Sequence, residues 1–235
     1  MREEPRLGMI KLSFDEEKMT LTLTADGYPP LVVGACDPEE RSKPSVRKFD
    51  YNAVEVSEEA SQWFRNYLKC DDVRLVRVLL DQKTINRGCT GAAPVAFQDE
   101  SAFHIISKAS LEKLQSKLPP EADVRRRNFR PSLFVEGCDA HSEDHWLRYK
   151  IGEAEMAFLE RTTRCVMTTV NQDTGIKTNK EPLVTLRKYR VDRSELGLKK
   201  YQSKPLLGIG SIHVKDGRIA VGDEVYAVLS PTPLL

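Results

Sequence analysis

Leu207-Gly208-Ile209-Gly210-Ser211-Ile212-His213-Val214, then Asp216-Gly217, then Glu224-Val225-Tyr226-Ala227-Val228-Leu229, reads as strand, turn, strand. Aliphatic residues carry both runs, and Asp-Gly is turn chemistry. The same punctuation recurs upstream. Residues 132–135, 155–159 and 165–170 read as short strands, with Asp173-Thr174-Gly175 as another turn. A strand over 102–106 leads into a helix capped near Ser107 or Ser110, with Leu111, Leu114 and Leu118 as its apolar edge and Pro119-Pro120 as its stop. A second short helix starts at Pro182 and turns Leu183 and Leu186 inward. Many short strands with few helices predict a mixed α/β, β-rich, barrel-like domain over 81–235.

Residues 1–80 form a smaller unit in this reading. Two strands, 7–14 and 19–24, flank a polar turn, and the second alternates Met19, Leu21 and Leu23 against Thr20, Thr22 and Thr24. Residues 31–33 and 74–80 are further strand candidates, and 37–44 reads as a surface loop. Between the last two lies a helix: Ser57 suits the N-cap, Glu58 and Glu59 suit the positive end of the dipole, and Ala60, Trp63, Phe64, Tyr67 and Leu68 make one apolar stripe. The irregular stretch 81–94 marks the seam between the units.

Composition narrows the function. With 235 residues, 40% hydrophobic and 30% charged, the chain has a globular balance. Thirty-six Lys+Arg against 35 Asp+Glu leave a net charge of +1, which removes the electrostatic case for a general nucleic-acid binder. No apolar run approaches the ~18–20 residues of a membrane-spanning helix. Residues 1–6 include two acids with no apolar stretch behind them, unlike a signal or transit peptide. The expected location of the chain as written is therefore cytoplasmic. Five scattered cysteines without a C-x-x-C pair argue against a disulfide framework. No phosphate-binding glycine loop is present, since Gly208-Ile209-Gly210 lies inside a strand pattern.

Four places could carry chemistry. Cys165 follows Arg164, and a cation beside a thiol favours the thiolate that binds soft metals or attacks electrophiles. Its other reading is a small buried residue at a strand edge. Arg130, ahead of Pro131, is expected in extended backbone with its guanidinium aimed at an oxyanion, or else as a surface Arg ending a basic run. Asp99-Glu100-Ser101 either builds a turn or converges with these two. His141-Ser142-Glu143-Asp144-His145 lacks the spacing of a helical metalloprotease motif and reads as a solvated loop. The tract around Lys199-Lys200 reads as solvated surface.

Several stretches together resemble one family. They are Phe129-Arg130-Pro131, Trp146 with Ile151-Gly152, Arg164-Cys165 with Thr168-Thr169-Val170, Asp173-Thr174-Gly175, Glu181-Pro182-Leu183, 185–190 and Val221-Gly222-Asp223. The resemblance is to the MOSC domain. Glu4-Pro5-Arg6-Leu7, Gln62-Trp63, Ser107 to Leu111 and Gly137-Cys138-Asp139 narrow it to the mitochondrial amidoxime-reducing components. It implies a MOSC β-barrel domain over 81–235, preceded over 1–80 by an incomplete N-terminal MOSC-type β domain with a helix.

The resemblance also implies a molybdenum cofactor, with Cys165 as the protein's sulfur ligand to the metal. Asp99 stands at the catalytic segment, and Ser101, Arg130, Ser132, Thr163 and Arg164 stand at cofactor-binding positions. The implied reaction reduces the N–O bond of amidoximes, hydroxamic acids or hydroxylamines to N–H, with electrons from a b-type cytochrome and its NADH-dependent reductase. The implied location is the mitochondrial outer membrane, facing the cytosol. The alternative implied by the wider family is a cofactor-binding or sulfur-carrier module without reductase turnover, as in the C-terminal domain of molybdenum cofactor sulfurases.

Four departures accompany the likeness. Ser132 replaces an Asn, Glu100 replaces a small hydroxyl residue, and Thr162 stands where the subgroup has a second cysteine. Family members also begin well before Met1, with an anchor and strands that carry a Lys-Ser pair and an Arg for the cofactor.

Overall fold

The computed structural model describes residues 3–34, 53–78, 101–178 and 180–235, and adds the backbone of short strands within 41–50 and 84–94. The chain divides into two compact units, Met1–Lys83 with Gln172–Ile176, and Thr84–Asn171 with Lys177–Leu235.

In the first unit the chain opens with a 3-10 turn, Pro5–Gly8, rather than a strand from residue 7. Proline sets the turn, and Arg6 ties it down by donating to the carbonyls of Tyr67 (3.3 Å) and Leu68 (2.6 Å). A three-stranded antiparallel sheet follows, β1 (Lys11–Asp15), β2 (Thr20–Thr24) and β3 (Leu31–Val33), with β2 central. β4 (Arg41–Ser42), β5 (Ser45–Val46), β6 (Phe49–Asp50) and β7 (Ala53–Glu55) come next, and strand assignments thus fall inside the expected 37–44 loop. Helix α1 (Glu58–Leu68) starts as its sequence predicts, with Ser57 Oγ accepting from the Ala60 N–H at 3.1 Å. Its Trp63 and Tyr67 rings stack at 5.4 Å, and Trp63 Nε1 donates to the Pro29 carbonyl at 2.7 Å. These rings close a core over Leu23 and Leu31. β8 (Val76–Val78) pairs with β7.

In the second unit, 81–94 is not wholly irregular: β9 (Thr84–Asn86) and β10 (Ala92–Pro94) form an antiparallel pair. Each run is only three residues long, too short to carry a strand signal. Next come β11 (Phe103–Ser107), α2 (Lys108–Gln115), α3 (Arg126–Phe129), β12 (Leu133–Val135) and β13 (Trp146–Ile151). They are followed by β14 (Ala154–Thr163), α4 (Leu183–Tyr189), α5 (Glu195–Tyr201), β15 (Leu206–Lys215) and β16 (Val225–Leu229). One sheet of six strands runs β12-β11-β15-β14-β13-β16, antiparallel except at β11–β12. Its two ten-residue central strands, β14 and β15, shift register at three places. Each shift adds local twist and bends the strands, which curls the sheet into a half-barrel.

The sheet has a core on either face. Ile105, Trp146, Tyr149, Met156 and Ile209 fill one, and Ile106, Leu114, Phe129, Leu186 and Leu207 fill the other beneath the helices. Adjacent Ile105 and Ile106 feed opposite faces, as strand alternation requires. Leu207 and Ile209 also face opposite ways although two apart. The bulge between them, at Gly208, absorbs the extra residue with φ of +71°, and a Cβ there would lie 2.3 Å from the Ile105 carbonyl oxygen. Only glycine fits.

Of three further readings, two change and the solvated surface at Lys199-Lys200 holds. Residues 165–170 do not form a strand. Val166–Thr169 is a 3-10 turn, with Thr168 Oγ1 and Thr169 Oγ1 donating to the carbonyls three residues back, at 2.9 and 2.8 Å. The hydroxyls offer the backbone a local partner that outweighs the strand preference of β-branched residues. α5, capped by Ser194, carries Lys199 and Lys200 on its exposed face.

Third, 141–145 is not a solvated loop. Glu143 and Asp144 are 0% and 2% exposed. Glu143 Oε1 accepts from the Ser107 N–H, and Asp144 Oδ2 pairs with Arg190 at 2.7 Å. Burial raises the Glu143 pKa above the ordinary carboxylate value. A raised pKa in the folded state means that the stability held by the neutral acid is complete below the unfolded value and is lost as pH rises through the folded one. Glu143→Gln should therefore melt higher than the parent at pH 8, with the gap closing toward pH 4; a gap independent of pH in calorimetric scans would contradict a raised Glu143 pKa.

Candidate functional site

Cys165 stands exposed where β14 ends, at the N-cap of the 3-10 turn. The turn is held from below by Asn128 on α3. Its side-chain amide, buried, donates to the Thr168 carbonyl at 3.1 Å and the Val170 carbonyl at 3.0 Å, while its Oδ1 accepts from the Arg125 N–H at 2.9 Å. One side chain thus joins the start of α3 to the turn that carries the thiol.

Before the thiol, the Arg164 N–H donates to the Pro205 carbonyl at 2.8 Å. The Arg164 side chain turns inward and is 8% exposed. Nε and Nη2 both donate to the Leu207 carbonyl, Nε at 2.9 Å, and the guanidinium lies over the Phe129 ring at 5.4 Å. Nη2 also meets His104 Nε2.

His104 brings in the remaining segment. Burial, reinforced by the Arg164 charge, holds its pKa down to about 2, so the ring is neutral. A neutral ring that accepts at Nε2 carries its proton on Nδ1, which faces the Arg130 carbonyl at 3.5 Å. The backbone of His104 is clamped as well: its N–H donates to Ser132 Oγ at 3.2 Å, and its carbonyl accepts from the Ser132 N–H at 2.8 Å. Arg130 itself is the C-cap of α3, left-handed at φ 52° and ψ 51°, not extended as the following proline suggests. The helix end overrides the proline rule here, because the left-handed residue lets the chain reverse from α3 into β12 beside His104.

The structure therefore gathers Arg130, Ser132 and Arg164 around His104, with Cys165 next in chain and Thr163 paired with Leu206 at the end of β14. Ser101 is placed farther along β15, against Gly210, its Oγ donating to the Phe103 carbonyl at 2.8 Å. Asp99 and Glu100 lie outside the described residues. His104, Asn128 and Gly208 are the residues that sequence reasoning missed; only Gly208, a glycine inside a strand pattern, gave a signal. Among the described residues no three His, Cys, Asp or Glu side chains converge as a metal cage, and no helix is long and apolar enough to cross a membrane.

Residues 92–226 match the MOSC domain family. The chain is 36% identical over 236 residues to mitochondrial amidoxime-reducing component 1 of Mus musculus, covering 96% of this chain and 67% of that one. It is 38% identical over 240 residues to mitochondrial amidoxime reducing component 2 of Rattus norvegicus, covering 97% and 69%. Against component 1 of Homo sapiens the identity is 36% over 233 residues, covering 96% and 67%. The chain belongs to the amidoxime-reducing component family of MOSC proteins. A Bordetella bronchiseptica solution structure overlaps 34% of the chain at 20% identity and a TM-score of 0.28, too low to bear on the fold.

In this MOSC domain, then, the matched span runs from β10 into β16 and contains the whole Cys165–His104 arrangement. Asn128→Leu keeps the volume but leaves the carbonyls of Thr168 and Val170 and the Arg125 N–H without this partner. The expected cost is about 2–4 kcal/mol in urea unfolding; a loss under about 0.5 kcal/mol, the range of neutral surface changes, would show that the turn holds itself.

Proposed function

We propose that this chain is a molybdenum-cofactor N-reductase acting on amidoximes, hydroxamic acids and hydroxylamines. The observation that carries the reading is Cys165, an exposed thiol on a turn fixed from both sides. A soft thiolate suits a thiophilic metal, and a site with one sulfur and no converging cage among the described residues fits a metal brought by its own organic ligand. The hydroxyl and cation gathered at His104 suit the anionic parts of a pterin: Ser132 Oγ accepts from the His104 N–H and keeps its O–H to donate, and Arg130 is exposed. When bound, the cofactor supplies the two-electron chemistry that replaces N–OH by N–H.

The chain's own contribution is positional. Cys165 supplies the ligand, Arg164 and Thr163 fix the approach to it, and Arg130, Ser132 and Ser101 hold the cofactor. Asp99 is assigned to the catalytic segment on the resemblance alone. In this reading residues 81–235 are the MOSC domain and 1–80 an N-terminal β domain. Electrons come from a b-type cytochrome and its NADH-dependent reductase. The relatives' name supports a mitochondrial setting.

The test is molybdenum and pterin content of the purified chain beside Cys165→Ser, followed by reduction of benzamidoxime. The parent should carry near-stoichiometric cofactor and turn over, and the folded variant should lose at least about 100-fold in rate. Full activity in the variant removes Cys165 as the ligand. A folded parent that takes up no cofactor overturns the reductase reading for this chain.

A further inference from the structure

We infer that His104 is a positioning residue for the proposed cofactor site: as a two-sided hydrogen-bonding bridge it sets where Arg130 emerges relative to Cys165. The inference rests on the reductase reading above, yet its structural half stands without it.

The two residues lie far apart in sequence and on different elements, Arg130 at the end of α3 and Cys165 beyond β14. His104 on β11 touches both segments. Toward α3 the ring makes one contact, Nδ1 to the Arg130 carbonyl at 3.5 Å, beside two main-chain bonds of residue 104 to Ser132 that its variants keep. Toward β14 it accepts from Arg164 Nη2, while Arg164 Nε and Nη2 also donate to the Leu207 carbonyl on β15. An imidazole is suited to this because it accepts at one nitrogen and donates at the other in a fixed direction. The ring also sits in space that the Gly208 bulge leaves, since a Cβ on that glycine would lie 3.2 Å from His104 Nε2. A hydrocarbon of equal size would fill this space but let go of Arg164 and of the Arg130 carbonyl together. Ser132, one of the positions at which this chain departs from the family pattern, is a direct partner of His104 and so belongs to the same bridge.

The experiment compares His104→Leu and His104→Gln with the parent. Gln keeps an acceptor and a donor at opposite corners of its amide, whereas Leu keeps neither. Amide hydrogen exchange on cofactor-free protein is the first readout. In His104→Leu the amides of 130, 132 and 133 and those of 164–169 should exchange at least about tenfold faster, those of β13 and β16 should hold, and His104→Gln should lie near the parent. Pterin content after reconstitution is the second, falling at least about fivefold in His104→Leu and recovering in His104→Gln. Unchanged exchange in His104→Leu, or equal loss in both variants, overturns the inference. If His104→Leu does not fold, Arg164→Lys breaks the same bridge from the other side, and unchanged exchange at 130, 132 and 133 in that variant overturns it too. A parent that binds no pterin refutes the reductase reading alone, because the exchange result is read without cofactor.

Discussion

A buried guanidinium must find acceptors, and Arg164 finds them in the carbonyl of Leu207 and the ring of His104. Much of the second unit is arranged to make that possible. The Leu207 carbonyl is reachable because the β15 bulge lets Leu207 face one core and Ile209 the other. The bulge exists because residue 208 is glycine. The ring is an acceptor because burial and the neighbouring charge keep it neutral. Loss of any of these takes away part of what anchors the buried guanidinium, and a buried donor left unmade costs about 1–3 kcal/mol. The thiol of Cys165 sits one residue from this anchor, so its position is inherited from the interior rather than set by the surface turn alone.

The curled sheet supplies the rest of the rigidity. β11, β14 and β15 lie side by side, and each contributes to the site: His104, the Thr163–Arg164 exit, and the Leu207 carbonyl. Sites on strands hold their geometry better than sites on loops. The turn behind the thiol, Val166–Thr169, is tied by Asn128 and by its own threonine hydroxyls.

Most of the strand content was legible from alternation and turn residues, and α1 and α4 from caps and apolar stripes. β13 was not, because Arg148 and Lys150 point outward from a strand whose inward Tyr149 is easily taken for surface. The 165–170 turn was misread for the opposite reason: its β-branched residues have strand propensity, and only tertiary partners such as Asn128 reverse it. Arg130 was misjudged because a helix end is a tertiary fact, whereas the proline rule is local. At the site, the pattern around Cys165 was visible as a resemblance, but His104 was not. An imidazole between Phe103 and Ile105 has no sequence mark that distinguishes a bridge from a core residue.

The strand order has a consequence for synthesis. β15 lies between β11 and β14, yet it follows both in the chain, with β14 ending at Thr163 and β15 opening at Leu206. Growing from the N-terminus, the ribosome releases the two flanking strands well before the one that joins them. Until that strand emerges, the guanidinium next to Cys165 lacks the carbonyl it is anchored to, and β11 and β14 expose unpaired edges to each other and to any other chain. The thiol's environment is therefore completed only once β15 has been made. Interruption of translation in that interval yields a chain with its cysteine present and its setting absent.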